Sequence, residues 1–63
     1  TLSDREYQVM WMIASGKTVR QIADELFLSP NTVSTHRTRI LRKMNMKSNA
    51  ELMHYAIAHH LVD

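Results

Sequence analysis

The side chains that could do chemistry in this 63-residue chain are four histidines, one adjacent carboxylate pair and a run of basic residues. His36 and His54 fall on different predicted helices. His59 and His60 are neighbours, whose side chains diverge by about 100° on a helix. No pair has the i, i+4 spacing of a helical zinc site, and no carboxylate stands where it would orient a ligating imidazole. His36 reads instead as a partly buried packing and hydrogen-bonding residue. Asp24 and Glu25 point apart on a helix, and nothing else completes an acid/base pocket around them. With no cysteine there is neither a disulfide framework nor a thiolate metal site. No enzyme, cofactor or metal site is expected. The basic run is a different matter. Between Leu26 and Ala50 there is no acidic residue, while Arg37, Arg39, Arg42, Lys43 and Lys47 are all cationic. The net charge is only +2, so most of the positive charge has been placed on one segment. Polyanions respond to that local potential rather than to the total.

The elements that must position this charge are helices. One glycine and one proline leave little room for turn-rich β structure. Ser3-Asp4-Arg5-Glu6 is a capping box, with Leu2 placed for a hydrophobic staple. Val9, Met10, Ile13 and Ala14 mark the buried stripe that follows, and Gly16 is an αL stop. Thr18 with Gln21 repeats the box for a second helix, whose apolar positions are Val19, Ile22, Ala23 and Leu26. Phe27-Leu28 forms a tight turn, with Leu28 plugging the corner. Ser29 then caps a third helix, about 30–44, with Pro30 at its first position, where a missing N–H costs nothing. Ser48 with Glu51 makes a third box for a last helix running to about His60. Its Leu52, Met53, Ala56 and Ile57 share an arc expected to face the core. The fold class is all-α, a compact four-helix domain over residues 1–63 containing a helix-turn-helix. The longest apolar run, Val9 to Ala14, is too short for a membrane span. A reducing cytoplasmic location is compatible with the absence of cysteine.

A short helix, a tight turn and a second helix with a basic exposed side form the arrangement that grips duplex DNA in the major groove. On the third helix, Val33, His36, Arg37, Ile40 and Met44 cluster toward the core. Asn31, Thr35, Thr38 and Arg42 cluster on the other side, flanked by Ser34 and Arg39. Short polar side chains in the N-terminal half allow close approach to base edges. Asn can pair with adenine, and Thr can offer a hydroxyl or a methyl contact. Arg39 and Arg42 are expected on phosphates. The helix starts at Thr18 and Ser29 present unpaired amides to phosphate, which makes Thr18 and Thr32 further candidates. Thr18 is explained equally well as a cap alone.

These same residues carry a resemblance. Leu2-Ser3, Arg5-Glu6, Val9, Gly16, Ile22-Ala23, Leu28-Ser29, Thr32-Val33, His36, Ile40, Lys43-Met44 and Lys47-Ser48 follow, without a gap, the spacing of the LuxR/NarL (FixJ-like) family. That family comprises bacterial transcription regulators and includes the output domain of many two-component response regulators. Through LSPNTVSTHRTRI and AIAHHLVD the chain is most similar to the GacA/UvrY-type branch. The resemblance implies base or phosphate contacts from Ser34, Thr35 and Thr38, with Lys47 on the DNA backbone. Many members hold a lysine where this chain has Ser34, a departure that bears on which operator is read. The resemblance also implies a homodimer on repeated half-sites, joined through the last helix. A receiver domain would precede this one in a longer chain. On that helix Ala50, His54 and Ala58 form a small-residue strip suited to a symmetric partner; an ordinary alanine-containing surface would look the same. Two functions from different classes therefore remain in view. One is sequence-specific binding of double-stranded promoter DNA. The other is a helical protein-interaction module whose basic face meets an acidic partner or a receiver domain.

Overall fold

In the computed structural model, which describes residues 2–60, four helices follow one another in the expected order: α1 (Asp4–Ala14), α2 (Val19–Leu26), α3 (Pro30–Lys43) and α4 (Asn49–Ala58). No strand occurs among the described residues. The end of the AIAHHLVD tail, residues 61–63, lies outside them. Each helix starts on a hydroxyl cap. Ser3 Oγ accepts from the Glu6 N–H at 3.2 Å and Glu6 Oε1 accepts from the Ser3 N–H at 2.9 Å, closing the first box. Thr18 and Gln21 close the second at 3.1 and 2.9 Å. Ser29 accepts from the Thr32 N–H at 3.1 Å, with Pro30 in the first turn.

The third expected box is only half made. Ser48 Oγ accepts from the Glu51 N–H at 3.3 Å, but the Glu51 carboxylate accepts from the Lys47 N–H at 2.7 Å. The two completed boxes have cap φ angles of −72° and −79°, whereas Ser48 sits at −153°. That rotation swings its own N–H away and brings the preceding one to the carboxylate.

The helix ends follow the sequence signals in two ways. After α1, Gly16 takes φ +96°, and the N–H groups of Gly16 and Lys17 return to the carbonyls of Ile13 and Met12, the double closure that satisfies orphaned helix carbonyls. After α2 the left-handed position falls on Phe27, at φ +57° and 95% exposed, while Leu28 is half-buried against the core. The turn forms as expected, although an aromatic side chain is a poor occupant of that backbone region.

Helix α1 packs against the other three helices, and α2 packs against α3. Val9, Met10, Ile13, Ile22, Val33, Ile40 and Leu52 make the core they share. Leu2, Val19, Leu26 and Met44 pack on it from the rim. One expectation for α4 fails. Leu52 and Ala56 are fully buried, but Met53 and Ile57 are 36% and 57% exposed. Helix α4 packs chiefly on α1, and a helix packed mainly on one neighbour buries one narrow stripe. Residues about 100° off that stripe stay in solvent. No helix of the described residues is long and apolar enough to cross a membrane.

Candidate nucleic-acid interface

Helix α3 is held by two anchors. Val33 and Ile40, two turns apart, are both fully buried, fixing the rotation of the helix about its own axis. Asn31, Thr32, Thr35, Thr38, Arg39 and Arg42 then fall outward and are exposed, and Ser34 is half-buried at the edge. His36, Arg37 and Met44 are half-buried on the inner side. The expected division of the helix into two faces is therefore the observed one.

The hydroxyls of the outer face are partly committed. Thr35 Oγ1 donates to the Asn31 carbonyl and Thr38 Oγ1 to the Ser34 carbonyl, each at 3.0 Å. Their protons point back onto the helix, so each residue presents a methyl group and oxygen lone pairs outward. Thr32 Oγ1 shares a hydrogen bond with Ser29 Oγ at 2.9 Å, inside the cap. Thr18 is exposed, and its hydroxyl oxygen serves the α2 cap. Neither α2 nor α3 has an acidic residue in its first turn, so the partial positive charge at those starts is not cancelled.

The five cations of the basic run separate into two groups. Lys43 Nζ donates to Glu6 Oε1 at 2.7 Å, and Arg37 Nη1 donates to Asn49 Oδ1 at 3.3 Å. These two tie α3 to α1 and to the start of α4. Arg39, Arg42 and Lys47 are exposed, and none makes a side-chain ion pair among the described residues. The basic run thus has one set of charges committed within the fold and another with no ion-pair partner among the described residues.

Glu6 is the residue that sequence reasoning undervalued. It reads only as the capping partner of Ser3, yet it is also buried, with 4% of it exposed. Its carboxylate takes the Lys43 ammonium and the Ser3 N–H on one oxygen. The hydrogen bond from Lys43 and then that from the Ser3 backbone hold its pKa down at about 2, against the opposing effect of burial. The signal was present in the spacing, since Glu6, Met10 and Ile13 lie on one helical line. His36 departs from expectation in the other direction. The ring is half-buried as anticipated, but its Nδ1 is enclosed with no hydrogen-bond partner.

The other histidines and the carboxylates do not converge. Asp24 and Glu25 are exposed, and Glu25 pairs with Lys17 Nζ at 2.8 Å. No group of three or more potential metal ligands is found among the described residues. On α4, Ala50, His54 and Ala58 are all exposed. Met53 and Ile57 join the same side, making the strip more apolar than the sequence reading had it. Trp11 and Tyr7 are 43% and 46% exposed on α1.

Comparison with known proteins agrees with this geometry. Residues 1–56 match the family described as bacterial regulatory proteins, luxR family. The response regulator UvrY of Escherichia coli is 46% identical over 61 residues, which are 97% of this chain and 28% of that protein. The response regulator GacA of Pseudomonas aeruginosa is 46% identical over 63 residues, 100% of this chain and 29% of GacA. The oxygen regulatory protein NreC of Staphylococcus carnosus is 44% identical over 62 residues, 98% of this chain and 29% of NreC. The chain therefore spans under a third of the length of these relatives. Four capped helices, a helix-turn-helix with Arg39 and Arg42 turned outward, and a match along nearly the whole sequence lead to one assignment: this chain belongs to the luxR family of bacterial regulatory proteins.

Proposed function

We propose that this chain is the sequence-specific, duplex-DNA-binding output domain of a transcription regulator of the response-regulator type. Helix α3 enters the major groove, where Asn31, Ser34, Thr35 and Thr38 meet base edges. Arg39, Arg42 and Lys47 meet phosphates, joined by Thr18 and Thr32 at the two helix starts. The observation that carries this reading is the division of α3. Its buried anchors at Val33 and Ile40 leave a short polar N-terminal half outward, followed by two cations with no internal partner. An acidic protein partner would be satisfied by charge alone and would not need that small, uncharged half.

Residues 1–63 form one such domain of a longer cytoplasmic chain, with a receiver domain as its partner, as the names of UvrY and GacA as response regulators support. Two copies pair on DNA through α4, where Ala50, His54 and Ala58 lie beside exposed Met53 and Ile57. Because so small a strip gives weak association in free solution, adjacent half-sites supply the effective concentration. Selection from a random duplex pool tests the reading. A recovered consensus supports it, and recovery of unenriched sequence at any salt contradicts it.

A further inference from the structure

A cavity of about 480 Å³ opens between the first turn of α1 and the C-terminal half of α3, lined by Ser3, Glu6, His36, Arg39, Arg42 and Lys43. Its charges do not cancel. Glu6 Oε1 is held by Lys43 Nζ at 2.7 Å and by the Ser3 N–H at 2.9 Å, so that carboxylate and that ammonium neutralise each other. Arg39 and Arg42 remain, both exposed and without an ion pair among the described residues.

His36 lines the same cavity. Its Nδ1 is buried with no partner. A buried N–H there would be an orphaned donor, which is rarer and more costly than an unused lone pair. In the neutral ring the proton is therefore best carried on Nε2, and the ring lines the cavity. Beyond the neutralised Glu6–Lys43 pair, two guanidinium groups and an imidazole line the concave space, so donors outnumber acceptors there even with the second Glu6 oxygen in the wall. Such a set fits a tetrahedral oxyanion.

We propose that this cavity is a phosphoryl-binding site, with Arg39, Arg42 and the His36 Nε2–H as its donors, and that a DNA backbone phosphate beside the major groove fills it. The assignment to DNA rests on the function proposed above. The phosphoryl chemistry rests on the cavity alone. Position supports the DNA source. Around α3, Arg42 lies on the base-facing side, Arg39 about 60° further round, and His36 about 60° beyond that. The site thus runs continuously from the recognition face to the start of α1. Helix α1 then becomes part of the DNA-binding surface through Ser3 and the Glu6–Lys43 pair that shapes the wall.

The test follows the His36 ring nitrogens by NMR in phosphate-free buffer. The chain is titrated separately with a selected operator duplex and with inorganic pyrophosphate. Binding constants are measured for H36L, H36Q, R39A and R42A, with thermal melts confirming that each variant folds. The expected result is that the duplex shifts the His36 signals and that H36L weakens binding about tenfold, the worth of a hydrogen bond to a charged group. The salt slope should stay unchanged in H36L, because a neutral donor releases no counterion. H36Q, which keeps a donor near Nε2, should restore affinity, and R39A and R42A should each lower the slope by about one. Pyrophosphate shifting His36 and losing its effect in R39A would support the phosphoryl site. If the duplex leaves the ring unmoved in that case, the source is free phosphate and the DNA assignment is overturned. Specific duplex binding with His36 unmoved in both titrations, or H36L indistinguishable from the parent, would overturn the site while leaving the DNA reading intact.

Discussion

Helices α3 and α4 each bury one stripe and expose another, but the two exposed stripes have opposite chemistry. The outer side of α3 carries Asn31, Thr35, Thr38, Arg39 and Arg42. The outer side of α4 carries Ala50, Met53, His54, Ile57 and Ala58. A polar, cationic stripe suits a hydrated polyanion whose counterions are released on contact. A small, apolar stripe suits a dry surface like itself. Packing reinforces the contrast. Helix α3 lies against both α1 and α2, whereas α4 leans chiefly on α1. Helix α3 is thus fixed in rotation by neighbours on two sides, and α4 keeps more of its circumference free. In the function proposed above, that rigidity serves the helix that would meet base edges, and the free surface serves the helix that would meet a second copy.

That contrast can be broken most severely at its anchor. Ile40→Ala removes a fully buried side chain and should destabilise the fold by about 2–5 kcal/mol, most or all of what so small a domain has. Circular dichroism should show a collapsed melting temperature and a matching loss of DNA binding. A stable I40A that still binds would mean α3 is oriented by something else. Next in size is base reading. Replacing Thr35 or Thr38 with a larger residue should change operator preference by roughly 1–3 kcal/mol per lost contact. Equal loss of affinity for every sequence would remove these positions from the readers.

The α4 side is tested by His54→Glu. Binding to a two-half-site operator should fall roughly ten- to hundredfold as cooperativity is lost, with single half-site affinity spared. Loss on both would assign the helix to the fold and place the pairing surface elsewhere. The smallest effect at neutral pH concerns the wall between α1 and α3. The Glu6 pKa is about 2 in the folded protein against an ordinary value of 4.5. Its stabilising contribution is therefore fully present above pH 4.5 and lost as pH falls toward 2. Acid titration of thermal stability should steepen over that range, and E6Q should lack this component.

Much of this was legible in the sequence because caps and helical periodicity are local. Ser3, Thr18, Ser29, Ser48 and Gly16 specify helix ends through bonds spanning three to five residues. The division of α3 followed from its period alone. What escaped depended on which helix faces which. Met53 and Ile57 belong to an apolar arc, and only the single-sided contact of α4 leaves them in water. The inward use of Lys43 and Arg37 could not be read either, because their partners Glu6 and Asn49 lie 37 and 12 residues away. The orphaned His36 nitrogen is likewise a property of the packed interior.

The most direct test of the central claim, that the outer side of α3 reads sequence, is the specificity ratio. Affinity for a selected operator is divided by affinity for random duplex at one fixed salt concentration. A ratio of about 10³ or more, reduced when Thr38 is enlarged and retained when Lys47 is replaced by alanine, is the predicted result. A ratio near one, with all affinity lost as salt rises, would contradict it.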